Sequence, residues 1–149
     1  MGIAMFGMTK MQFLKRSAKC MDETGGLLLL LKEVIDKEFQ GKISESNASK
    51  KLDIIRKEIE SLFEKFEKLS PPSRCNPLKQ KILNILINMH EIVITNSESL
   101  STAKEQSQDK LNESKEKLER FRKDFHDLTK RVNILLLETK KGKLKRTKI

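Results

Sequence analysis

Apolar residues recur every three or four positions along most of this chain, and that spacing places them on one face of an α-helix. The sequence predicts four helices, over about residues 9–40, 47–69, 76–104 and 108–140, followed by a basic tail over 141–149. The second helix has the clearest pattern, an a/d seam of the kind found in coiled coils. Its seam consists of Leu52, Ile55, Ile59, Leu62, Phe66 and Leu69.

Glycine, proline and polar residues mark the connections between these helices. Gly41 suits the position that follows the end of the first helix, and residues 44–47 offer several caps for the second. Pro71 cannot supply a backbone donor, so the second helix must stop before it. Asn76 is the expected cap of the third helix, with Pro77 at its first position.

Three stretches leave alternatives open. The apolar pattern fades over residues 95–108, where either the third helix continues and turns near 105–109 or a polar loop fills the stretch; we favour the helix. Gly25 and Gly26 interrupt the first helix at a cost of about 1 kcal/mol each relative to Ala. A kink or a close helix contact explains them most simply, and a functional hinge is the alternative. Gly142 is expected to release the basic tail.

Short connections make consecutive helices antiparallel neighbours. The predicted fold class is therefore all-α, an antiparallel up-down four-helix bundle with long helices, in a single helical domain over residues 1–149. In such a bundle the start of the first helix and the end of the fourth lie at the same end.

The charge is divided unevenly along the chain. The net charge is +10, and residues 1–20 and 139–149 contain Lys and Arg but no acid, while Lys and Arg are matched one for one by Asp and Glu over residues 21–138. We name the ten cationic residues of the two ends the basic pole. They are Lys10, Lys15, Arg16, Lys19, Lys140, Lys141, Lys143, Lys145, Arg146 and Lys148.

The basic pole predicts an anion-binding surface. Nucleic acid is the first candidate partner and an anionic membrane surface the second, since either would neutralise clustered Lys and Arg. No aromatic residue lies among the cations of the tail, so sequence-specific recognition through base stacking is not expected. The alternative is a tail that only keeps the protein in solution.

Near the N-terminus, Met5, Phe6, Met8 and Met11 mingle with the first cations. A Met-rich face of this kind can dock on a protein partner or on a second copy of the chain. Positive charges interrupt the apolar stretch that a secretion signal requires, so no cleaved signal is expected. The longest purely apolar run, over residues 27–31, is too short to span a bilayer. We therefore expect a cytoplasmic protein with its two cysteines reduced.

Few residues of the chain suit catalysis. His90 flanks an apolar helix face and is expected to be packed or hydrogen-bonded, and His126 is expected to face solvent. Arg120, five intervening residues and His126 resemble the Arg-x4–6-His signature of HEPN ribonucleases, and that resemblance implies that the pair would act on a scissile phosphate. Phe121 stands where that family usually has a polar residue. The sequence otherwise predicts no catalytic residue, no cofactor, no metal site and no small-molecule substrate.

A second resemblance covers about residues 41–100. The runs Gly41-Lys42-Ile43-Ser44, Lys51-Leu52-Asp53 and Glu64-Lys65-Phe66-Glu67-Lys68-Leu69-Ser70-Pro71-Pro72, followed by His90, resemble a group of small uncharacterised helical-bundle proteins of Gram-positive bacteria. Many of those are lipoproteins, and this sequence lacks the lipoprotein signal. The resemblance implies a bacterial helical bundle and brings no activity with it.

The sequence thus favours a non-enzymatic interaction protein that binds a protein partner or itself. The alternative is a sequence-independent binder of nucleic acid or anionic membrane through the basic pole. A HEPN-type ribonuclease is the remote alternative.

Overall fold

The computed structural model describes the backbone of residues 7–147 and the side chains of residues 7–142. Within that part of the chain it contains four α-helices and one short 3-10 helix, so the predicted all-α bundle is confirmed. The α-helices are α1 (Lys10–Phe39), α2 (Glu45–Glu67), α3 (Asn76–Ser101) and α4 (Lys104–Thr147), and the 3-10 helix Ser73–Cys75 precedes α3.

Helix α3 packs against each of the other three α-helices, as α1 also does, and it supplies a large part of the core. The apolar face of α3 is wide and buried, which suits a helix with more than one neighbour. Each such side chain contributes roughly 1.5–3 kcal/mol by leaving water. The buried side chains of this face are Ile82, Ile85, Leu86, Met89, Ile92 and Val93.

The start of α1 lies beside the end of α2. The rings of Phe13 and Phe66 pack with their centroids 5.7 Å apart, and the backbone N–H of Met8 donates to the carbonyl of Ser70 at 3.2 Å. Residue numbers therefore rise along α1 as they fall along α2. The up-down order of the whole bundle stays a prediction.

A second set of contacts joins α1 to α4. The ring of Phe125 lies against Gly25, and the ammonium of Lys115 lies 4.6 Å from the ring centroid of Phe39. Residue numbers fall along α4 as they rise along α1. The first and last helices are therefore neighbours that run in opposite directions at these contacts.

The turn between α1 and α2 follows the predicted signals. Gly41 adopts a positive φ of 65°, a conformation that favours glycine after a helix end. The hydroxyl of Ser44 accepts from the backbone N–H of Asn47 at 3.1 Å and so caps α2. Since the first of the possible caps is the one used, α2 begins two residues before the predicted start.

Helix α2 ends at Glu67, two residues earlier than predicted, and a side chain of α3 stabilises this end. The ammonium of Lys79 donates to the carbonyls of Glu67 and Leu69, at 2.7 and 2.8 Å. A cation from α3 thereby satisfies carbonyls that the helix end leaves without partners.

The prediction that Asn76 caps α3 is wrong. Asn76 is the first residue of α3, and Cys75 occupies the cap position without any side-chain hydrogen bond. The 3-10 turn leads directly into the helix, since the N–H of Cys75 already donates to the carbonyl of Pro72 at 2.8 Å. The chain therefore needs no polar cap here.

The polar stretch over residues 95–108 is mostly helical, as favoured, but the turn comes earlier than predicted. Helix α3 ends at Ser101, Thr102 is extended, and α4 begins at Lys104. The apolar pattern fades here because buried polar residues continue the helix interface: the amide Nδ2 of Asn96 donates to the hydroxyl of Ser114 at 2.9 Å. Both side chains are fully buried.

The predicted basic tail over 141–149 needs correction, because α4 continues through Gly142 to Thr147. Gly142 does not adopt the positive φ that ends a helix, a conformation found only at Gly7 and Gly41 among the described residues. A lone glycine costs a helix about 1 kcal/mol, and the Lys, Leu and Arg residues around it favour helix. Residues 148 and 149 lie outside the described part of the chain.

The two glycines inside α1 differ in their surroundings. A Cβ at Gly25 would lie 3.4 Å from Cζ of Phe125, whereas a Cβ at Gly26 would meet nothing within 4 Å. Gly25 thus agrees with the interpretation as a close helix contact, whereas no packing contact explains a glycine at position 26.

We predict that Gly26→Ala raises the free energy of unfolding by about 1 kcal/mol, since Ala favours helix and has open space there. The matched variant Gly25→Ala should gain more, because its methyl group would also make an ordinary van der Waals contact with the Phe125 ring. Urea denaturation of both variants measures the difference. Equal gains, or a loss in Gly26→Ala, would contradict this account of the glycine pair.

Candidate anion-binding site

The basic pole residues with described side chains lie on α1 and α4. Lys10, at the start of α1, is half-buried, and the other described side chains of the basic pole are exposed. Lys143, Lys145 and Arg146 belong to the last turns of α4, and Lys148 lies outside the described residues. The exposed side chains are Lys15, Arg16, Lys19, Lys140 and Lys141.

The ion pairs that the described side chains form lie in the middle of the chain. Every ion pair among the described side chains joins residues between 32 and 117. Most are exposed pairs three or four residues apart on one helix, each contributing little to stability. None includes a described side chain of the basic pole. These pairs engage seven of the 21 Lys and Arg residues over 21–138, namely Lys32, Lys37, Arg56, Lys57, Lys68, Lys110 and Lys117.

The α1–α4 contact also relates the two parts of the basic pole. Fifteen residues separate Lys10 from Gly25, and fifteen separate Phe125 from Lys140. Because each helical residue rises about 1.5 Å, straight antiparallel helices would bring Lys10 and Lys140 to the same level. Both parts of the basic pole are thus expected toward one end of the bundle.

A recess between α1 and α2 gathers cations from both helices. Its volume is about 110 Å³, and Arg16, Lys19 and Lys65 are among its lining residues. We name it the α1–α2 cleft. The other lining residues are Cys20, Glu23, Leu62, Phe66 and Leu69.

Lys65 is the residue that sequence reasoning missed. Acidic and basic residues alternate along α2, which is typical of a solvated face, yet Lys65 stands directly before Phe66 of the apolar seam. A residue beside the seam faces the groove next to the neighbouring helix, and Arg16 and Lys19 flank the buried residues of α1 in the same way. That position relative to the seam was the available signal.

Burial sets the protonation state of Cys20, which lines the cleft. It raises the pKa of the Cys20 thiol to about 11, with the nearby charge of Glu23 acting in the same direction. The thiol therefore stays protonated near neutral pH and is a poor nucleophile. Cys20 and Cys75 are both buried and free.

The residues predicted to bind a protein partner have mixed positions. Met8 is partly buried and packs against the core, and Met11 is half-buried. Met5 and Phe6 lie outside the described residues. Met8 thus contributes to the fold of this chain, as does the wide apolar face of α3.

His90 lies on α3 with Nε2 2.8 Å from Oε2 of Glu60, the same oxygen that accepts from Arg56 at 2.9 Å. The hydrogen bond from His90 and the bond from Arg56 lower the pKa of Glu60. This agrees with the hydrogen-bonded interpretation of His90. The pair borders an apolar groove of about 260 Å³ that includes Phe63 and Ile87.

The remote ribonuclease pair does not share a groove in the described structure. Arg120 lines a groove between α3 and α4 together with Asn88, while His126 is exposed and lines a separate groove with Lys130 and Asn133. A concerted action on one phosphate requires both side chains at the same site. The geometry therefore gives that alternative no support.

Among residues 7–142, no group of three or more His, Cys, Asp or Glu side chains is arranged to hold a metal ion. No helix in the described part of the chain is long and apolar enough to cross a membrane.

No family model, curated protein or solved structure matches the chain. The resemblance of residues 41–100 to helical proteins of Gram-positive bacteria therefore stays a prediction.

One buried carboxyl group lies at the other end of α1. Burial raises the pKa of Glu38 to about 7, and the neighbouring Asn96 side chain opposes that shift. Oε1 of Glu38 and Oδ1 of Asn96 are buried without a hydrogen-bond partner. A protonated Glu38 is therefore better suited to this site than a charged one.

The raised pKa predicts that stability falls as pH rises from about 4.5 to 7, because the folded state holds its proton more tightly than the unfolded state does. Glu38→Gln removes this loss. We expect the variant to exceed the natural protein by about 1–2 kcal/mol at pH 8, allowing for partial exposure, and by much less at pH 5.

Urea denaturation at both pH values measures this difference. Glu33→Gln is the control on the same helix: its lowered pKa comes first from a hydrogen bond with Lys37, so that variant should lose stability at pH 8. A Glu38→Gln effect that does not change with pH would contradict the assignment.

Proposed function

We propose that the chain is a non-enzymatic binding protein that holds an anionic polymer, nucleic acid before membrane, through the basic pole. The confinement of ion pairs to residues 32–117 carries this proposal. Cations that are already paired must give up a partner to bind a phosphate. None of the described cations of the basic pole forms an ion pair.

Counterion release would supply most of the affinity. Each phosphate neutralised by Lys or Arg frees condensed cations, so binding should weaken steeply as salt rises. The chain has no Trp or Tyr, and Phe13, Phe66 and Phe121 are buried in the core. These features favour binding to the backbone of the polymer without reading its sequence.

A protein partner or second copy is the other candidate, and exposed apolar residues favour it. Ile87 and Ile94 lie seven residues apart on α3 and are 49% and 38% exposed. Residues seven apart share a helix face. We place this candidate second because the proposed docking residue Met8 packs within its own chain.

A cytoplasmic location belongs to the same proposal. The two buried thiols are free, as suits a reducing compartment. Nucleic acid is also available there.

Removal of residues 140–149 should weaken binding to DNA and RNA fragments of unrelated sequence while the bundle stays folded. Six cations are lost, whereas Val132 is the last fully buried residue of α4 among the described side chains. A mobility shift assay across a salt titration measures the affinity, and circular dichroism checks the fold. Unchanged affinity at every salt concentration would contradict the proposal.

A second test compares two variants of equal charge. Lys15→Gln, Arg16→Gln and Lys19→Gln together remove three charges from the basic pole, and we expect the salt slope of binding to fall by about 1 for each. The control variant removes three charges from cations paired in the middle of the chain. Its substitutions are Lys32→Gln, Lys57→Gln and Lys68→Gln.

The control should retain most of the affinity. If both variants lose affinity equally, net charge alone accounts for binding and the basic pole is not the site. Tighter binding to vesicles of anionic lipid than to nucleic acid would reverse the order of the two anionic partners.

A further inference from the structure

The α1–α2 cleft differs from the rest of the basic pole because it is a concave site with apolar walls. Leu62 is 8% exposed and Phe66 3% exposed, and both line it together with the cations. The sugars and phosphates of a nucleic-acid backbone are polar and would not pack against these apolar walls. The cleft therefore suits a ligand that joins an anion to an apolar group.

The charges at the cleft define the anion. Arg16, Lys19 and Lys65 bring three positive charges, and Glu23 brings one negative charge. None of these four side chains forms an ion pair with a residue in the described part of the chain. The resulting excess of two positive charges complements a phosphate monoester, which carries about −1.5 to −2 at pH 7, better than it complements a carboxylate.

The volume limits the apolar part of the ligand. An enclosed apolar cavity of roughly 150 Å³ holds a benzene molecule. A recess of about 110 Å³ that opens to solvent has room for a phosphate and part of one ring. Longer acyl chains would extend out of the recess into water.

From these observations we propose that the α1–α2 cleft is a binding site for a small organic phosphate monoester with a single apolar ring or a short chain. The phosphate lies among Arg16, Lys19 and Lys65, and the apolar group lies against Leu62 and Phe66. Such a ligand goes beyond the proposed function, which concerns an anionic polymer. Arg16 and Lys19 serve both sites, whereas Lys65 belongs to the cleft alone.

Titration of the isotope-labelled full chain with phenyl phosphate, followed by NMR, tests the site. We expect saturable shifts of amides around residues 16–23 and 62–69, with inorganic phosphate and neutral phenol each binding at least fivefold more weakly. Phenyl phosphate that gives no saturable shifts there would overturn the proposal. Inorganic phosphate that binds as tightly as phenyl phosphate would also overturn it, because the apolar walls would then contribute nothing.

Two lysines on α2 provide a matched pair of variants. Lys65→Gln should weaken phenyl phosphate binding about tenfold, in line with the loss of one charge-assisted contact. Lys68→Gln removes the same charge from a lysine that pairs with Glu64 at 3.6 Å and does not line the cleft, so it should change affinity less than twofold. Equal weakening by both variants would contradict the site.

Glu23→Gln gives a test in the opposite direction. It removes the only acid of the cleft and should strengthen phenyl phosphate binding, and weaker binding would count against the assignment. Nucleic-acid affinity of Lys65→Gln should stay within twofold of the natural protein. A variant that loses phenyl phosphate and keeps nucleic acid separates the cleft from the proposed function, so either can fail alone.

Discussion

The burial of α3 among the other three helices is the constraint on which the rest of the structure depends. This helix carries only four charged residues among its 26, and its apolar side chains point toward more than one neighbour. The other helices can each cover only one part of that surface. Their own apolar seams must therefore turn inward, and their charged residues must face outward or border the grooves between helices.

The distribution of charge follows from that arrangement. Acids and bases alternate on the outer faces of the middle of the chain, so helical spacing brings many of them together as i,i+3 and i,i+4 pairs. Lys117 reaches across to Glu91 at 3.4 Å and joins α4 to α3 in the same way. The two ends contain no acids for their cations to meet. The basic pole thus carries the whole net positive charge of the chain.

Residue spacing predicts the helices well because the core is built from repeated apolar positions. The seam of α2 illustrates this, since Leu52, Ile55 and Ile59 are each no more than 2% exposed. Boundaries are harder because tertiary contacts decide them. Lys79, far along the chain from the end of α2, satisfies the carbonyls there, and a 3-10 turn makes a polar cap at Asn76 unnecessary.

The spacing of apolar residues also does not reveal polar residues whose role depends on contact with a neighbouring helix. Asn96 and Ser114 look like loop residues, yet they pair within the core, and Glu38 reads as one more surface acid. Lys65 likewise reads as a solvated charge until α1 brings Arg16 and Lys19 beside it. The ten cations of the basic pole can be predicted because the sequence itself shows that the two ends contain Lys and Arg but no acid. The cleft cannot be predicted in this way, because its position depends on the packing of α1 against α2.

An NMR map of binding to a short nucleic-acid duplex of arbitrary sequence tests the central claim most directly. The account predicts that amides of residues 10–20 and 139–147 shift together at low salt and return toward their free positions as salt is added. Amides between residues 32 and 117, where the ion pairs lie, should change little. Shifts centred on the exposed face of α3 around Ile87 and Ile94, with the ends unaffected, would contradict it.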